Sequence, residues 1–136
     1  MPTPSRVLVI DDSPRMVAIM KRWLVRAGYH VTGVTTVPEA IETLTANGID
    51  WVITDLMMPT GDGMDVLSFA RTHHPQTKVI VMTAFGSDAA RQRACARGAY
   101  AFLSKPFSGE ALLAILTQVP PSNHDRPAAG GDQPPP

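Results

Sequence analysis

The sequence predicts an α/β fold in which helices cover both faces of a parallel sheet. Five short apolar runs alternate with five helical patterns over the first 119 residues. The runs are mostly continuous rather than alternating, which is typical of strands buried on both faces of a parallel sheet. Five βα units of this length indicate right-handed crossovers and an open, doubly wound sheet.

Length and composition indicate one ordinary globular domain. The chain has 136 residues, of which 44% are hydrophobic and 18% charged, with 12 basic residues against 12 acidic ones. This charge balance argues against nucleic acid or an anionic membrane as the main partner, because both select a basic surface. The one cysteine, Cys95, cannot form an internal disulfide, so the fold depends on its core alone.

We expect neither a membrane span nor a secretion signal in this sequence. The longest apolar stretches, Ala111–Leu116 and Val7–Ile10, are far shorter than the roughly 18–20 residues that span a bilayer, and no signal-peptide core is present. We therefore expect a cytoplasmic protein. Residues 120–136 hold six prolines but no aromatic, leucine, isoleucine or valine. We expect one domain over residues 1–119 and a disordered Pro/Gly-rich tail over 120–136.

Each element can be placed along the chain. The predicted strands are Arg6–Ile10, Val31–Val34, Trp51–Thr54, Val79–Met82 and Tyr100–Leu103. The segment His30–Val34 is the least apolar and is expected at an edge of the sheet. Apolar stripes and terminal signals predict helices from Pro14 to Gly28, from Thr36 to Gly48, and over Gly63–His73, Ser87–Arg97 and Ser108–Val119. In the second helix, Thr36 and Glu39 have the spacing of a capping box.

The fourth predicted helix differs from the others. Ser87–Arg97 contains no leucine, isoleucine, valine, methionine or aromatic residue, so little apolar surface anchors it, and such elements shift most easily. Its arginines, Arg91, Arg93 and Arg97, are interpreted as a solvated face. The alternative is a docking surface for an acidic partner.

Polar residues follow the strands where a parallel sheet binds its ligands, beyond the carboxyl ends. Asp11 and Asp12 follow the first run, Asp55 the third, Thr83 the fourth, and Lys105 closely follows the fifth. Three converging carboxylates need a cation, and an all-oxygen site suits Mg²⁺. A carboxylate there can attack a phosphoryl group while Thr83 and Lys105 bind the transferred oxygens. Asp55 is the best candidate nucleophile because its strand is central.

Other interpretations of single residues are weaker. Asp12 alone suits the start of the first helix, as do Ser13 and Pro14, but the adjacent Asp11 favours a metal site. The run Gly61–Gly63 is interpreted as a turn because it lacks the third glycine of a dinucleotide fingerprint. No metal is assigned to His73 and His74.

Several short motifs stand at the predicted strand ends and in the segments that follow them: Asp11–Asp12, Asp55, Met58–Pro59, Asp62–Gly63, Met82–Ala84, Gly98–Tyr100 and Lys105–Phe107. Together they resemble the receiver domain of two-component response regulators, from about Arg6 to Val119. The stretches Met82–Ser87 and Phe102–Phe107 are similar to those of receivers from nitrogen-regulator-type transcription factors. No effector domain follows in this sequence, which puts a transcriptional role in doubt.

The resemblance implies a flavodoxin-like fold with strand order 2-1-3-4-5 and a role for each site residue. Asp55 would accept phosphate from a sensor histidine kinase or a histidine phosphotransfer protein. Asp12, Asp55 and the backbone carbonyl of Met57 would bind Mg²⁺, and Asp11 would reach it through water. Thr83 and Lys105 would contact the phosphoryl group, with Thr83 and the aromatic Phe102 forming the switch.

We interpret the chain as a single-domain response regulator that turns over no metabolite and presents a changed surface when phosphorylated. The predicted output surface is the fourth helix, fifth strand and fifth helix, facing a partner protein rather than nucleic acid. The alternatives are a receiver from a longer regulator, a phosphorylation-independent interaction module, or a phosphohydrolase of the haloacid dehalogenase type. The last places a second aspartate where this chain has Ser13, and the chain has no room for its cap domain.

The lifetime of the phosphorylated form depends on two bulky side chains. Met57 and Phe85 lie two places after Asp55 and Thr83, respectively. Neither can orient a water for in-line attack, and both obstruct its path. The sequence therefore predicts slow hydrolysis.

Overall fold

A computed structural model describes residues 5–46, 48–58, 61–84 and 88–117. The strands of its main sheet are β1 (Arg6–Ile10), β2 (His30–Val34), β3 (Trp51–Asp55), β4 (Lys78–Thr83) and β5 (Ala101–Ser104). The helices are α1 (Pro14–Arg26), α2 (Val37–Ala46), α3 (Gly63–His73), α4 (Asp88–Ala96) and α5 (Gly109–Thr117). A short antiparallel hairpin pairs Met57–Met58 with Gly61–Asp62.

The main sheet has the predicted topology. Its order is β2-β1-β3-β4-β5, and neighbouring strands are parallel. All five residues of β3 are buried at the centre, whereas β2 lies at one edge and is only partly covered. The place of each strand in the sheet agrees with its apolar content, because an inner strand is covered on both faces and an edge strand is less covered. The doubly wound flavodoxin-like fold is confirmed.

Alternate residues of each strand contribute to two hydrophobic cores. Leu8 and Ile10 of β1 join α2, α3 and α4 on one face of the sheet. Val7 and Val9 join α1 and α5 on the other. Successive side chains of a strand point to opposite faces, so one continuous apolar run supplies both cores. Each of these four side chains is fully buried, which stabilises the fold by about 1.5–3 kcal/mol per side chain.

The helices begin at the signals that the sequence carries. Ser13 caps α1, since its Oγ accepts a hydrogen bond from Met16 N at 3.2 Å. At the start of α2, Glu39 N donates to Thr36 Oγ1 at 3.2 Å, which is one half of the predicted capping box. The other half is shifted by one residue, because Glu39 Oε1 accepts from Thr35 N at 3.3 Å.

The structure also differs from the sequence prediction. The hairpin was not predicted, because two-residue strands are too short for periodicity to indicate them. Observed strand and helix ends lie within about two residues of the predicted ends. Ser87, residues 118–119 and the tail 120–136 lie outside the described residues, so the predicted domain boundary and tail stay predictions. In the part of the chain that is described, no helix is long and apolar enough to cross a membrane.

Candidate functional site

Carboxylates from two neighbouring strands meet at the carboxyl edge of the sheet. Asp11 and Asp12 directly follow β1, Asp55 ends β3, and these two strands are paired. One carboxylate oxygen from each residue lies within 4.8 Å of the others. Asp11 and Asp55 are buried, with only 1% and 6% of their surface exposed, whereas Asp12 is exposed. The structure therefore brings together the three carboxylates that the sequence predicted to converge.

The ammonium group of Lys105 bridges two of these carboxylates. Its Nζ donates to Asp11 Oδ2 at 2.7 Å and to Asp55 Oδ2 at 3.3 Å. The backbone N of Lys105 also donates to the carbonyl oxygen of Thr83 at 2.8 Å, which ties this residue to the end of β4. Three carboxylates and one ammonium group leave an excess of negative charge in the cluster.

The pKa values of Asp55 and Lys105 are both raised, for different reasons. Burial raises the pKa of the Asp55 carboxyl, the Lys105 ammonium lowers it, and the Asp11 and Asp12 carboxylates raise it again, with a net increase. Burial by itself lowers the pKa of Lys105, but hydrogen bonds and attraction to Asp11 and Asp55 outweigh it. Lys105 is therefore cationic at neutral pH, and the ionised form of Asp55 is stabilised by any further cation at this edge.

The two aspartates after β1 have different local roles. Asp11 Oδ1 accepts from Ser13 N at 2.9 Å, while its Oδ2 accepts from Lys105. Both oxygens of Asp11 are thus bound by protein groups. The cap of α1 is made by Ser13 rather than Asp12. The exposed carboxylate of Asp12 therefore faces the solvent side of the cluster without serving as the helix cap.

Thr83 lies at the end of β4, the strand beside β3. The register pairs Asp55 with Met82, so Thr83 is one residue beyond the partner of Asp55. Thr83 is 1% exposed and is paired with Ser104 of β5. The sheet thus places the predicted phosphoryl-contacting hydroxyl at the same edge as the acidic cluster.

Phe102 lies on β5 and is held at the side of α4. It is paired with Val81 of β4 and packs, partly buried, against the core that contains α4. The guanidinium of Arg91 lies 5.3 Å from the centre of the Phe102 ring. This is a cation–π distance, so the aromatic ring contacts the helix that the sequence predicted to be weakly anchored.

The two residues predicted to slow hydrolysis are placed differently. Met57 lies in the hairpin, two residues after Asp55, and 66% of its surface is exposed. It is therefore at the rim of the site and not in the core. Phe85 lies outside the described residues, and the predicted effect of both on hydrolysis stays a prediction.

The contact of Gly63 with the site was not predicted, although Asp62–Gly63 is one of the motifs that carry the resemblance. A Cβ at this position would overlap the carbonyl oxygen of Asp55 and lie 2.9 Å from its carbonyl carbon. Asp62 caps the helix that starts here, since its Oδ1 accepts from Met64 N at 2.8 Å. The sequence predicted a helix that begins at Gly63, but the atom that the glycine meets depends on tertiary packing.

The arrangement suits a divalent cation together with a bound oxyanion. The donor set consists of carboxylate oxygens, which hard cations such as Mg²⁺ and Ca²⁺ prefer. The ammonium group of Lys105 places a positive charge 3.3 Å from Asp55 Oδ2. An anionic group at Asp55 can therefore be neutralised both by a metal and by an ammonium group.

Comparison with known proteins connects this geometry to a family. Residues 7–117 match the family model described as the response regulator receiver domain. The response regulator protein FleR of Pseudomonas aeruginosa is 32% identical over 130 residues, covering 92% of this chain.

Solved structures agree with this match. The beryllofluoride-activated receiver domain dimer of NtrC4 is 37% identical, with a TM-score of 0.77 over 82% of this chain and 93% of that one. A response regulator protein from Burkholderia pseudomallei, with a phosphorylated aspartic acid, a calcium ion and citrate, is 28% identical. Its TM-score is 0.79 over 84% of this chain and 67% of that one.

The relatives are much longer than this chain. The matched region spans 28% of FleR, 23% of PilR of Pseudomonas aeruginosa and 29% of GlrR of Escherichia coli. The similarity therefore concerns one domain of these regulators.

Proposed function

This chain belongs to the family of response regulator receiver domains, and from that membership we propose that Asp55 is the phosphoacceptor of a two-component phosphorelay. The observation that carries the proposal is the cluster of three carboxylates within 4.8 Å with Lys105 bonded to two of them. Proteins of this family are signalling proteins. Membership removes the support for a phosphohydrolase of the haloacid dehalogenase type.

The proposed metal is Mg²⁺, held by Asp12, Asp55 and the backbone carbonyl of Met57, with Asp11 acting through water. The acidic oxygen donor set fits a divalent ion, and the Burkholderia pseudomallei relative holds calcium. When bound, the ion would neutralise charge on the transferred phosphoryl oxygens. The bound ion would also offset the excess of negative charge that the three carboxylates leave in the cluster.

The proposed reaction begins at a carboxylate oxygen of Asp55. This oxygen attacks the phosphorus of a phosphohistidine, an O–P bond forms, and the N–P bond breaks with its electron pair remaining on the imidazole nitrogen. The Lys105 ammonium and the Thr83 hydroxyl contact the transferred oxygens and so hold the phosphorus in line between the attacking oxygen and the leaving nitrogen. Water later attacks the same phosphorus, the bond between Asp55 and phosphorus breaks, and inorganic phosphate leaves with the Asp55 carboxylate regenerated. Both steps act on the protein's own phosphoryl group, and we propose no turnover of a metabolite.

The donor we propose is a sensor histidine kinase or a histidine phosphotransfer protein, and the output surface consists of α4, β5 and α5. Movement of Thr83 toward the phosphate would free space for Phe102 to turn inward, shifting a pre-existing equilibrium. Amide hydrogen exchange before and after phosphorylation tests this surface. Changes centred on α4 and β5 are expected, and changes confined to α2 would contradict it.

Two forms of the proposal differ in whether an effector domain is joined to the receiver domain. One is a single-domain cytoplasmic regulator that acts by binding a partner protein, with no nucleic acid contact of its own. The other is the receiver part of a longer transcriptional regulator, which is favoured by the 23% to 29% share of the matched relatives that this chain spans. Sequencing downstream of codon 136 at the gene locus decides between them.

The test is phosphorylation by acetyl phosphate with Mg²⁺, followed by intact mass measurement. The wild-type protein is expected to gain one phosphoryl group of about 80 Da that survives acid and is lost in base. Asp55→Asn is expected to gain none. Asp65→Asn, which removes an exposed carboxylate from the first turn of α3, is the matched control. Equal mass gain in Asp55→Asn would show that another residue is the nucleophile.

A further inference from the structure

The indole of Trp23 supports the segment that begins at Lys105. Trp23 lies on α1, and its ring centre is 6.3 Å from that of Phe107, with the planes tilted by 57°. A Cβ at Gly109 would lie 2.9 to 3.1 Å from three carbon atoms of the indole. The first residue of α5 therefore rests directly on the indole face, and only glycine fits there without displacing one of the two.

The segment from Lys105 to Gly109 is held at both ends. At its start, the backbone N of Lys105 donates to the Thr83 carbonyl, and Nζ contacts the acidic cluster. At its end, Phe107 and Gly109 meet Trp23, and the two aromatic side chains join the core shared by α1 and α5. An indole has two rotatable side-chain bonds and a large rigid surface, so it fixes its neighbours at little entropic cost.

We propose that Trp23 is a positioning residue for Lys105 in phosphoryl transfer. The inference rests on the function proposed above and concerns a residue of α1 that lies outside the acidic cluster. The lysine stem is flexible, so the place of its ammonium group depends on where the backbone of the segment is held. Trp23 holds that backbone, and thereby keeps Nζ within hydrogen-bond distance of both Asp11 and Asp55.

The test compares rates of phosphorylation by acetyl phosphate in Mg²⁺. Trp23→Ala is expected to slow the reaction about tenfold, because small displacements of a catalytic group are costly. Trp23→Phe keeps a flat ring and is expected to retain at least half of the rate. Trp51→Phe is the matched control, since Trp51 lies at the end of β3 opposite to Asp55. Its ring packs edge-on against that of Tyr100, with the ring centres 5.2 Å apart. It is expected to leave the rate unchanged.

A double-mutant cycle separates positioning from general loss of structure. If Trp23 acts through Lys105, then Trp23→Ala changes the rate by less than twofold when Lys105→Ala is already present. A tenfold effect that persists in the Lys105→Ala background overturns the proposal, and so does an unchanged rate in Trp23→Ala. Failure of the wild-type protein to be phosphorylated at Asp55 is a different result, since it contradicts the proposed function itself.

Gly109→Ala keeps the proposal testable if Trp23→Ala does not fold. The added methyl group forces the start of α5 and the indole apart, so it is expected to slow phosphorylation by the same route and to lose its effect in the Lys105→Ala background. Thermal unfolding of each variant confirms that folded proteins are compared. A normal rate in a folded Gly109→Ala protein contradicts the inference.

Discussion

α1 and α4 both follow strand ends of the site, but they are anchored very differently. α1 starts beyond Asp11 and Asp12 and buries three side chains, Val17, Met20 and Leu24. α4 follows Thr83 along the chain and, among its nine residues, buries Ala94 alone. The helices cover opposite faces of the sheet. The helix on one side of the site is therefore fixed by several buried side chains, whereas the helix on the other side makes little apolar contact with its core.

The difference matches the two tasks of a phosphorylation switch. Transfer of a phosphoryl group needs groups at fixed positions, and Phe107, in the segment that begins at Lys105, packs on the core of α1 and α5. A change of surface needs an element whose alternative positions differ little in free energy, and α4 has the contacts of such an element. The residues between the two sides, Thr83 and Phe102, are the ones through which the site would reach α4.

The largest expected effect is on stability, and it tests the anchoring directly. Leu24→Ala in α1 should lower the free energy of unfolding by about 3 kcal/mol, because it removes a fully buried side chain. Ala94→Gly in α4 should cost about 1.5 kcal/mol, from helix propensity and one lost methyl group. Urea unfolding measures both. Equal costs would show that the two helices are anchored alike, and a larger cost in α4 would reverse the comparison.

The next effect concerns the lifetime of the phosphorylated form. Met57→Asn places an amide at the exposed rim beside Asp55 and should speed hydrolysis about tenfold, or about 1.4 kcal/mol in barrier. Phe85→Ala should also speed it by opening the approach of water. The measurement is the decay of phosphorylated protein after donor removal, with Val25→Asn on the exposed surface of α1 as the control. Unchanged or slower decay in both site variants would refute shielding.

A smaller effect is expected where α4 meets the switch aromatic. The contact between Arg91 and the Phe102 ring is worth about 0.5–1 kcal/mol. Its loss in Arg91→Ala should raise the population with an inward Phe102 ring about two- to fivefold, as read from ring chemical shifts. Arg93→Ala removes the same charge from the same helix and should leave those shifts unchanged. Equal responses would indicate an effect of charge alone.

The smallest expected effect is a dependence of stability on pH. The pKa of Asp55 in the folded protein lies above its ordinary value of 3.8, chiefly through burial. The protonated Asp55 carboxyl therefore favours the folded state. This contribution to stability is complete below pH 3.8 and is lost as pH rises through the pKa of Asp55 in the folded protein. Without divalent cations, Asp55→Asn should therefore become more stable than wild type as pH approaches neutrality. Urea unfolding at several pH values checks this, and a constant difference would contradict it.

Much of the architecture follows from local pattern. Apolar runs indicated the five strands, the low apolar content of His30–Val34 indicated the edge, and the composition of residues 87–97 indicated a poorly anchored helix. These features depend on neighbours within a few residues, which sequence periodicity records. Asp11, Asp12 and Asp55 were also predictable as a cluster, because parallel strands end at one edge of a sheet.

Only the tertiary structure decided how distant groups meet. Lys105 bonds to Asp11 across 94 residues of sequence, Gly63 lies against the Asp55 carbonyl, and Gly109 lies against the indole of Trp23. No local pattern specifies these contacts, because they depend on the angles and distances at which separate elements pack. The amino-acid sequence alone therefore determined which chemical groups gather at the sheet edge, and the packing of α1, α3 and α5 decided where each of them is held.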